Sequence, residues 1–333
     1  MKFLIVGLGS MGKRRIRNLK QLDQTEIIGF DMNVERCNEA REKYGISIFT
    51  NIEDALEQSP NAMIVSTPPD LHMKYAKVAL ENNIHFFTEA SVTNDDMDEI
   101  INKLKTSKVI GMPSCTMRYH PMVLKLNEII QSNELGRVLA FTHHSGQYLP
   151  DWHPWEDYRD FYVSKRNTGA CREIVPFELV WIIDTFGEIK NVMGDITKVS
   201  SLDVDIDDIY NIILEFQNKI RGVLTVDVIA RNPIRYLKVM LENGIIEADW
   251  YKKIIKWSTP ENGWNKSGIS DGTAEKGYIH GERMYENEMV DFIEYIKGKK
   301  SISYTFEDDK KVLRILEAIE KSNDNGTRET INN

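Results

Sequence analysis

Cysteine is scarce in this chain. The three that occur in 333 residues, Cys37, Cys115 and Cys171, lie far apart and show no Cys-x-x-Cys spacing. That excludes a disulfide framework and a thiolate zinc site, suits a reducing compartment, and makes a metal-free, cytoplasmic protein the expectation. No apolar run reaches the roughly 18 residues of a membrane-spanning helix. The apolar start MKFLIVGLGS passes directly into a glycine-rich turn and a basic segment with no small-residue cleavage site, so it reads as a first strand and not as a secretion signal. Dense basic blocks are also missing beyond the GKRRIR of residues 12–17, and 42 Lys and Arg against 51 Asp and Glu leave a net charge of −9. Nucleic acid is therefore not an expected partner, and neither is a membrane. There is no internal repeat and no low-complexity segment.

What is present suffices for two domains with sizeable cores, at 41% hydrophobic and 28% charged residues. Over the first 115 or so residues, short runs rich in apolar and β-branched residues (2–7, 26–31, 62–67, 85–90 and 109–114) have the character of strands buried on both faces. Helical periodicity fills residues 10–22, 34–44, 68–83 and 93–106 between them, with Asn94 and Asp95 supplying polar and acidic residues at the start of the last. This alternation predicts a doubly wound parallel sheet. From about residue 135 the runs become longer and alternate in polarity, as in RVLAFTHHSGQY, IYNIILEFQ and RYLKVMLEN, with turn signals at QNK (217–219) and ENG (242–244). They predict an open, mostly antiparallel sheet, accompanied by helices over about 172–186, 281–297 and 307–321. The fold expected is thus α/β, a Rossmann domain over 1–118 followed by a C-terminal α/β domain over 119–333, with the last helix packing back near the first domain.

Gly7-Leu8-Gly9-Ser10-Met11-Gly12 is a GxGxxG sequence placed between a predicted strand and a predicted helix. The first two glycines allow a tight turn and close approach to a pyrophosphate, the third lets helix pack on strand, and the helix N-terminus faces the phosphates. Asp31 stands 19 residues after Gly12, at the end of the second strand. A carboxylate there accepts hydrogen bonds from ribose hydroxyls and repels a 2′-phosphate, which makes NAD the expected cofactor and NADP the less favoured one. Arg36 and the Lys13-Arg14-Arg15 cluster soften that preference, although a solvated helix face is the expected role of the cluster.

Further along, STPPDLH at residues 66–72 ends a strand and opens a helix that carries His72 in its first turn. Together with GLGSMG, the strand ending in Glu89, MRYHP at 117–121, ELGRV at 134–138 and the helix after FEDD, it resembles the Gfo/Idh/MocA oxidoreductases, over nearly the whole chain. The resemblance implies a Rossmann domain, a C-terminal α/β domain with a large open sheet, and hydride transfer between a nicotinamide and a sugar or cyclitol carbon. It places Thr67, Pro68, His72 and Glu89 along the dinucleotide, Glu89 near the nicotinamide ribose and Arg118 near the domain junction. It also implies association through the sheet, as a homodimer or homotetramer.

The departures from that pattern are specific. Where the family usually reads Glu-Lys-Pro, this chain reads Glu89-Ala90-Ser91, and alignment through WIIDTFGE leaves Ile174 and Phe177 at the places of the family's later acid and histidine. All three expected acid/base positions are apolar, a loss worth about 10²–10⁴ in rate where proton transfer is positioned. The candidates for a replacement are His153, Glu173, Tyr119 and Glu178, in that order, with Arg118 or Arg172 assisting electrostatically. LPDWHPWEDYRDFY at 149–162 crowds aromatic rings beside His153 and Arg159, which suits a sugar ring with hydroxyl or phosphate groups as well as it suits an anchor for the loop. Some relatives with a similar block look like proteins of surface-sugar or nucleotide-sugar pathways. Of His143 and His144, adjacent on one strand, only one can face a cleft. Two functional readings follow: an NAD-dependent oxidoreductase acting on a sugar phosphate, amino sugar or nucleotide sugar at a secondary carbon, or a dinucleotide-binding protein without dehydrogenase activity that serves as a sensor or partner subunit.

Overall fold

The computed structural model describes residues 1–152, 156–274 and 281–331. The chain divides into two compact units, one made of Met1–Thr116 with Thr273–Lys310, the other of Met117–Gly272 with Lys311–Asn333. Residues 273–310, which the sequence reading assigned to the second domain, are thus part of the first unit.

In the first unit, β1 (Phe3–Val6), β2 (Ile27–Phe30), β3 (Ser47–Phe49), β4 (Ala62–Val65), β5 (His85–Thr88) and β6 (Gly111–Pro113) form one parallel sheet in the order β3-β2-β1-β4-β5-β6. The central strands are buried along their whole length, FLIV in β1 and AMIV in β4, because helices cover both faces of such a sheet. Those helices are α1 (Ser10–Gln21), α2 (Val34–Tyr44), the short α3 (Ile52–Leu56), α4 (His72–Glu81) and α5 (Met97–Thr106). Asn33 caps α2, its Oδ1 accepting from the Glu35 and Arg36 amides, and Gly45 ends it at φ +64°. Helix α5 starts four residues later than expected, because Asp96 at φ +60° holds the chain in a left-handed turn before Met97.

The second unit opens with α6 (Pro121–Gln131), whose N-cap His120 accepts from the Met122 amide. Its sheet holds β7 (Val138–Tyr148), β8 (Ile189–Thr197), β9 (Ile209–Phe216), β10 (Arg221–Asp227), β11 (Ile229–Leu241), β12 (Gly244–Asp249), β13 (Ile254–Thr259), β14 (Gly263–Gly268) and β15 (Glu329–Thr330). The nine run in the order β14-β13-β12-β11-β7-β10-β9-β8-β15, antiparallel except for the central pair β7 and β10. One face buries Phe141, Leu224, Leu237 and Val239. On the other, Met193, Ile213 and Val223 align across β8, β9 and β10 and stay exposed. Helix α7 (Cys171–Phe186) belongs to this unit, α8 (Arg283–Ile296) to the first, and α9 (Phe306–Asn325) begins in the first and ends in the second. Among the described residues no helix is long and apolar enough to cross a membrane.

Candidate dinucleotide and acid/base sites

The glycine loop has the geometry its sequence requires. Gly7 sits at φ +90°, and a Cβ there would meet the Ser66 carbonyl oxygen at 2.6 Å, while one at Gly12 would lie 1.8 Å from the Gly7 oxygen. Neither position accepts a side chain. Gly9 occupies the N-cap of α1 and so provides no capping side chain, and the first turn of a helix is where backbone amides can meet a pyrophosphate. Asp31 is tied into the same loop: Oδ2 accepts the Leu8 amide at 2.7 Å and Oδ1 the Asn33 amide at 2.8 Å. Arg36 stands close by, its Nη1 3.8 Å from where a Gly9 Cβ would be. Beside the loop lie the ends of β4 and β5, the carboxyl edge where doubly wound sheets bind ligands.

At that edge His72 is buried, and its Nε2 donates to the Thr67 carbonyl at 3.0 Å, since a carbonyl oxygen only accepts. The ring is thereby fixed with an acceptor lone pair on Nδ1, which, like the Thr67 hydroxyl, finds no partner among the described residues. Burial holds the imidazole below its ordinary pKa, so it stays neutral. Pro68 is exposed at the turn. Glu89 accepts from Arg15 twice, at 2.8 Å each, and from the Ser66 hydroxyl at 3.0 Å. The basic cluster is therefore not a solvated face: Arg14 and Arg15 are buried, and only Lys13 reaches outward, to Glu39. The loop, the helix start with its side-chain-free N-cap Gly9 and the carboxylates fit a dinucleotide.

The second unit carries the acid/base candidates, and Glu173 is the most unusual of them. It lies in the first turn of α7, where Tyr162 Oη donates to its Oε1 at 2.7 Å. Its Oε2 is buried with no partner among the described residues. Although the residue retains some exposure, burial of the carboxyl pushes its pKa up to about 7, against the opposing pull of the Tyr162 hydrogen bond. Just before it, Ala170 is held at φ +53°, ψ −134°, a conformation costly for any residue with a Cβ.

Glu178, one turn on, is fully buried. It accepts from Arg235 at 2.6 Å, His143 at 3.0 Å and the Trp181 indole at 2.7 Å. Burial alone would raise its pKa, but Arg235 and His143 outweigh that and hold it well below the ordinary carboxyl range. His143 is the inward member of its pair, while the half-exposed His144 meets Asp227 at 2.5 Å. Arg118 pairs with Asp184 at 2.8 Å and Arg172 with Glu320 at 2.6 Å. Tyr119 is half-buried. His153 lies outside the described residues, as does Trp155 of the aromatic block. Within that block Tyr162 packs edge-on against Phe161, and Arg159 binds Asp157. Among the described residues no group of three or more His, Cys, Asp or Glu side chains is placed to hold a metal.

Sequence reasoning missed Arg15, Ser66 and Glu288 around Glu89, and Arg235 around Glu178. Only Arg15 left a signal, as a charge directly before Ile16 on the apolar side of α1.

A parallel sheet with a glycine loop at its switch point, joined in one chain to a unit built on a large open sheet, defines a two-domain dinucleotide-dependent oxidoreductase class. Residues 1–114 match the sequence profile of the oxidoreductase family with an NAD-binding Rossmann fold, and residues 123–247 match the GFO/IDH/MocA C-terminal domain. The chain belongs to the Gfo/Idh/MocA oxidoreductase family, and its cofactor is NAD. Oxidoreductase P35 of Formosa agariphila is 22% identical over 200 residues, 56% of this chain and 61% of that protein. UDP-N-acetylglucosamine 3-dehydrogenase of Acidithiobacillus ferrooxidans is 25% identical over 130 residues, 38% of this chain and 41% of that protein. The chain thus matches less than two thirds of the length of these curated relatives. Levoglucosan dehydrogenase, solved with NADH and levoglucosan, shares the fold at TM-score 0.86 and 18% identity, over 100% of this chain and 99% of that one.

Proposed function

We propose that this protein is an NAD-dependent oxidoreductase that transfers hydride at a secondary carbon of a sugar phosphate, amino sugar or nucleotide sugar, with Glu173 as its acid/base. Bound NAD would supply the redox chemistry, and the chain need only orient the reacting carbon and handle one proton. The observation that carries this reading is the buried Oε2 of Glu173, without a partner among the described residues, on a carboxyl whose pKa of about 7 suits proton transfer near neutrality. Tyr162, which donates to the other oxygen, orients it. His153 and Tyr119 remain alternatives for the same task, whereas Glu178, saturated by three donors, serves to hold α7 on the sheet. Sugar-acting relatives, a UDP-N-acetylglucosamine dehydrogenase among them, support the substrate class. The exposed row Met193, Ile213 and Val223 supports a homodimer or homotetramer formed through the sheet, and three free, buried cysteines suit the cytoplasm.

The test is a fluorescence titration with NADH and NADPH, followed by a turnover screen of sugar phosphates, amino sugars and nucleotide sugars. Tighter binding of NADH and measurable turnover on one of these classes support the reading. Binding without turnover on any of them favours the second reading, a dinucleotide-binding sensor or partner subunit, for which Ala90, Ile174 and Phe177 at the family's acid/base positions speak.

A further inference from the structure

Three polar clusters stand apart from the acid/base question. The His144–Asp227 pair lies on the exposed sheet face, and the acidic run at 203–208 is already tied to Arg159, Arg166 and backbone amides. The third cluster joins Glu89 to the far end of the sequence. Arg15 is fully buried between two glutamates: its Nε and Nη2 bind Glu89, and Nη2 also binds Glu288 on α8 at 2.9 Å. Phe87 lies under the guanidinium, 4.6 Å from Cζ to the ring centroid, and Tyr285 lies at 5.4 Å. Glu288 is in turn saturated with donors, Ser114 Oγ at 3.0 Å, the Cys115 amide at 2.7 Å, Thr116 Oγ1 at 2.8 Å and Arg15.

From this geometry we infer that Arg15 is a positioning residue for the cofactor site, fixing the Glu89 carboxylate through a buried link to Glu288. The inference rests on the family's NAD binding. Glu89 sits at the carboxyl edge of the sheet, and the Ser66 that donates to it lies against Gly7, so its orientation bears on a bound dinucleotide. A bidentate guanidinium sets both the direction and the plane of a carboxylate, which one ammonium does not. Ala90 follows Glu89 where the family pattern has lysine, so the cation that orients this carboxylate comes from α1. Burial opposes the charge on Arg15, but Glu89 and Glu288 outweigh that and keep it protonated. The arrangement makes Glu89 an acceptor held ready for hydroxyl groups, and it joins α8 to the site through one side chain.

The test compares NADH affinity and melting temperature for the full-length wild type, Arg15→Lys and Glu282→Gln. Glu282 makes the neighbouring contacts to Arg14, Arg17 and Asn18 on the same helix and touches no part of the dinucleotide site. Arg15→Lys should weaken NADH binding by roughly ten- to a hundredfold, the loss of one or two charge-assisted hydrogen bonds, and change the fluorescence of the bound nicotinamide. Glu282→Gln should lower the melting temperature while leaving NADH affinity within about twofold. If Arg15→Lys does not fold, Glu288→Gln takes its place: the Cys115 amide and Arg15 donate to opposite oxygens, so an amide leaves one of these two N–H donors without an acceptor and removes the charge opposite Arg15. Wild-type affinity in the Arg15 variant, or an equal loss in Glu282→Gln, overturns the positioning role alone. Failure of the wild type to bind NADH overturns it together with the oxidoreductase reading.

Discussion

Tyr162 Oη donates to Glu173 Oε1 at 2.7 Å, which engages one oxygen of a carboxyl whose other oxygen is buried without a partner among the described residues. Such a group can release and retake a proton on its second oxygen while the first stays anchored. Glu173→Gln keeps the shape and removes that capacity. Turnover should fall by about 10²–10⁴ and lose its inflection near pH 7, with NADH affinity unchanged. A pH–rate profile on the first substrate found would check this, and a retained inflection would move the role to Tyr119 or His153.

The same carboxyl should also be visible in stability. Its folded pKa of about 7 lies above the ordinary carboxyl range. The folded state therefore holds the proton longer, and the contribution, fully present below the unfolded value, is lost as pH rises through 7. Relative to wild type, Glu173→Gln should gain stability between pH 5 and pH 8, by an amount on the order of 2–3 kcal/mol. Urea unfolding at the two pH values measures the difference.

Glu178 should behave in the opposite sense. Arg235 and His143 depress its pKa inside the fold, so its contribution is present above the unfolded carboxyl range and is lost only as pH falls through the folded value. Glu178→Ala leaves Arg235 buried without its carboxylate and should cost about 3–5 kcal/mol at neutral pH. The cost should stay near its full size at pH 4 and shrink only in stronger acid, and chemical denaturation at pH 7, pH 4 and pH 2 would show whether it does.

Much of the first unit was legible because its signals are contiguous. GLGSMG is read in one glance, Asp31 follows at a fixed interval, and FLIV and AMIV are apolar on both faces. Strand β3 was not legible, since SIF at an edge has one exposed and two half-buried positions, and β13 and β14 carry the Lys, Asn and Gly of a solvated edge. Arg15 read as surface because its partners are distant in sequence: Glu89 lies 74 and Glu288 273 positions away, and no local pattern reports a buried charge paired from afar. What precedes α7 was not legible either, because Ala170 adopts a backbone angle that no propensity favours.

That angle gives a prediction of its own. Ala170 sits at φ +53°, where a Cβ is strained, and Gly169 before it lies so close to Val163 that a Cβ would meet the carbonyl oxygen at 2.3 Å. Ala170→Gly should therefore stabilise the protein by about 1 kcal/mol, whereas Gly169→Ala should be destabilising. Paired melting curves give both signs, and equal shifts in one direction would contradict the geometry.

Asp31 holds the glycine loop, and one substitution tests whether its charge also selects the cofactor. Its oxygens each accept a backbone amide, from Leu8 in the glycine loop and from Asn33 at the head of α2, and its charge would face the adenosine ribose of a bound dinucleotide. Asn in its place offers one acceptor where two are needed, so one amide loses its partner and the loop loosens. NADH affinity should then fall roughly tenfold. Removal of the negative charge also ends the repulsion of a 2′-phosphate, and Arg36 stands close enough to Gly9 to attract one. Asp31→Asn should accordingly lose less NADPH than NADH affinity, raising the NADPH-to-NADH preference by about an order of magnitude. Titrations of both nucleotides against wild type and variant decide it: a parallel fall in both would mean that Asp31 acts on the loop alone, and that the charge does not select the cofactor.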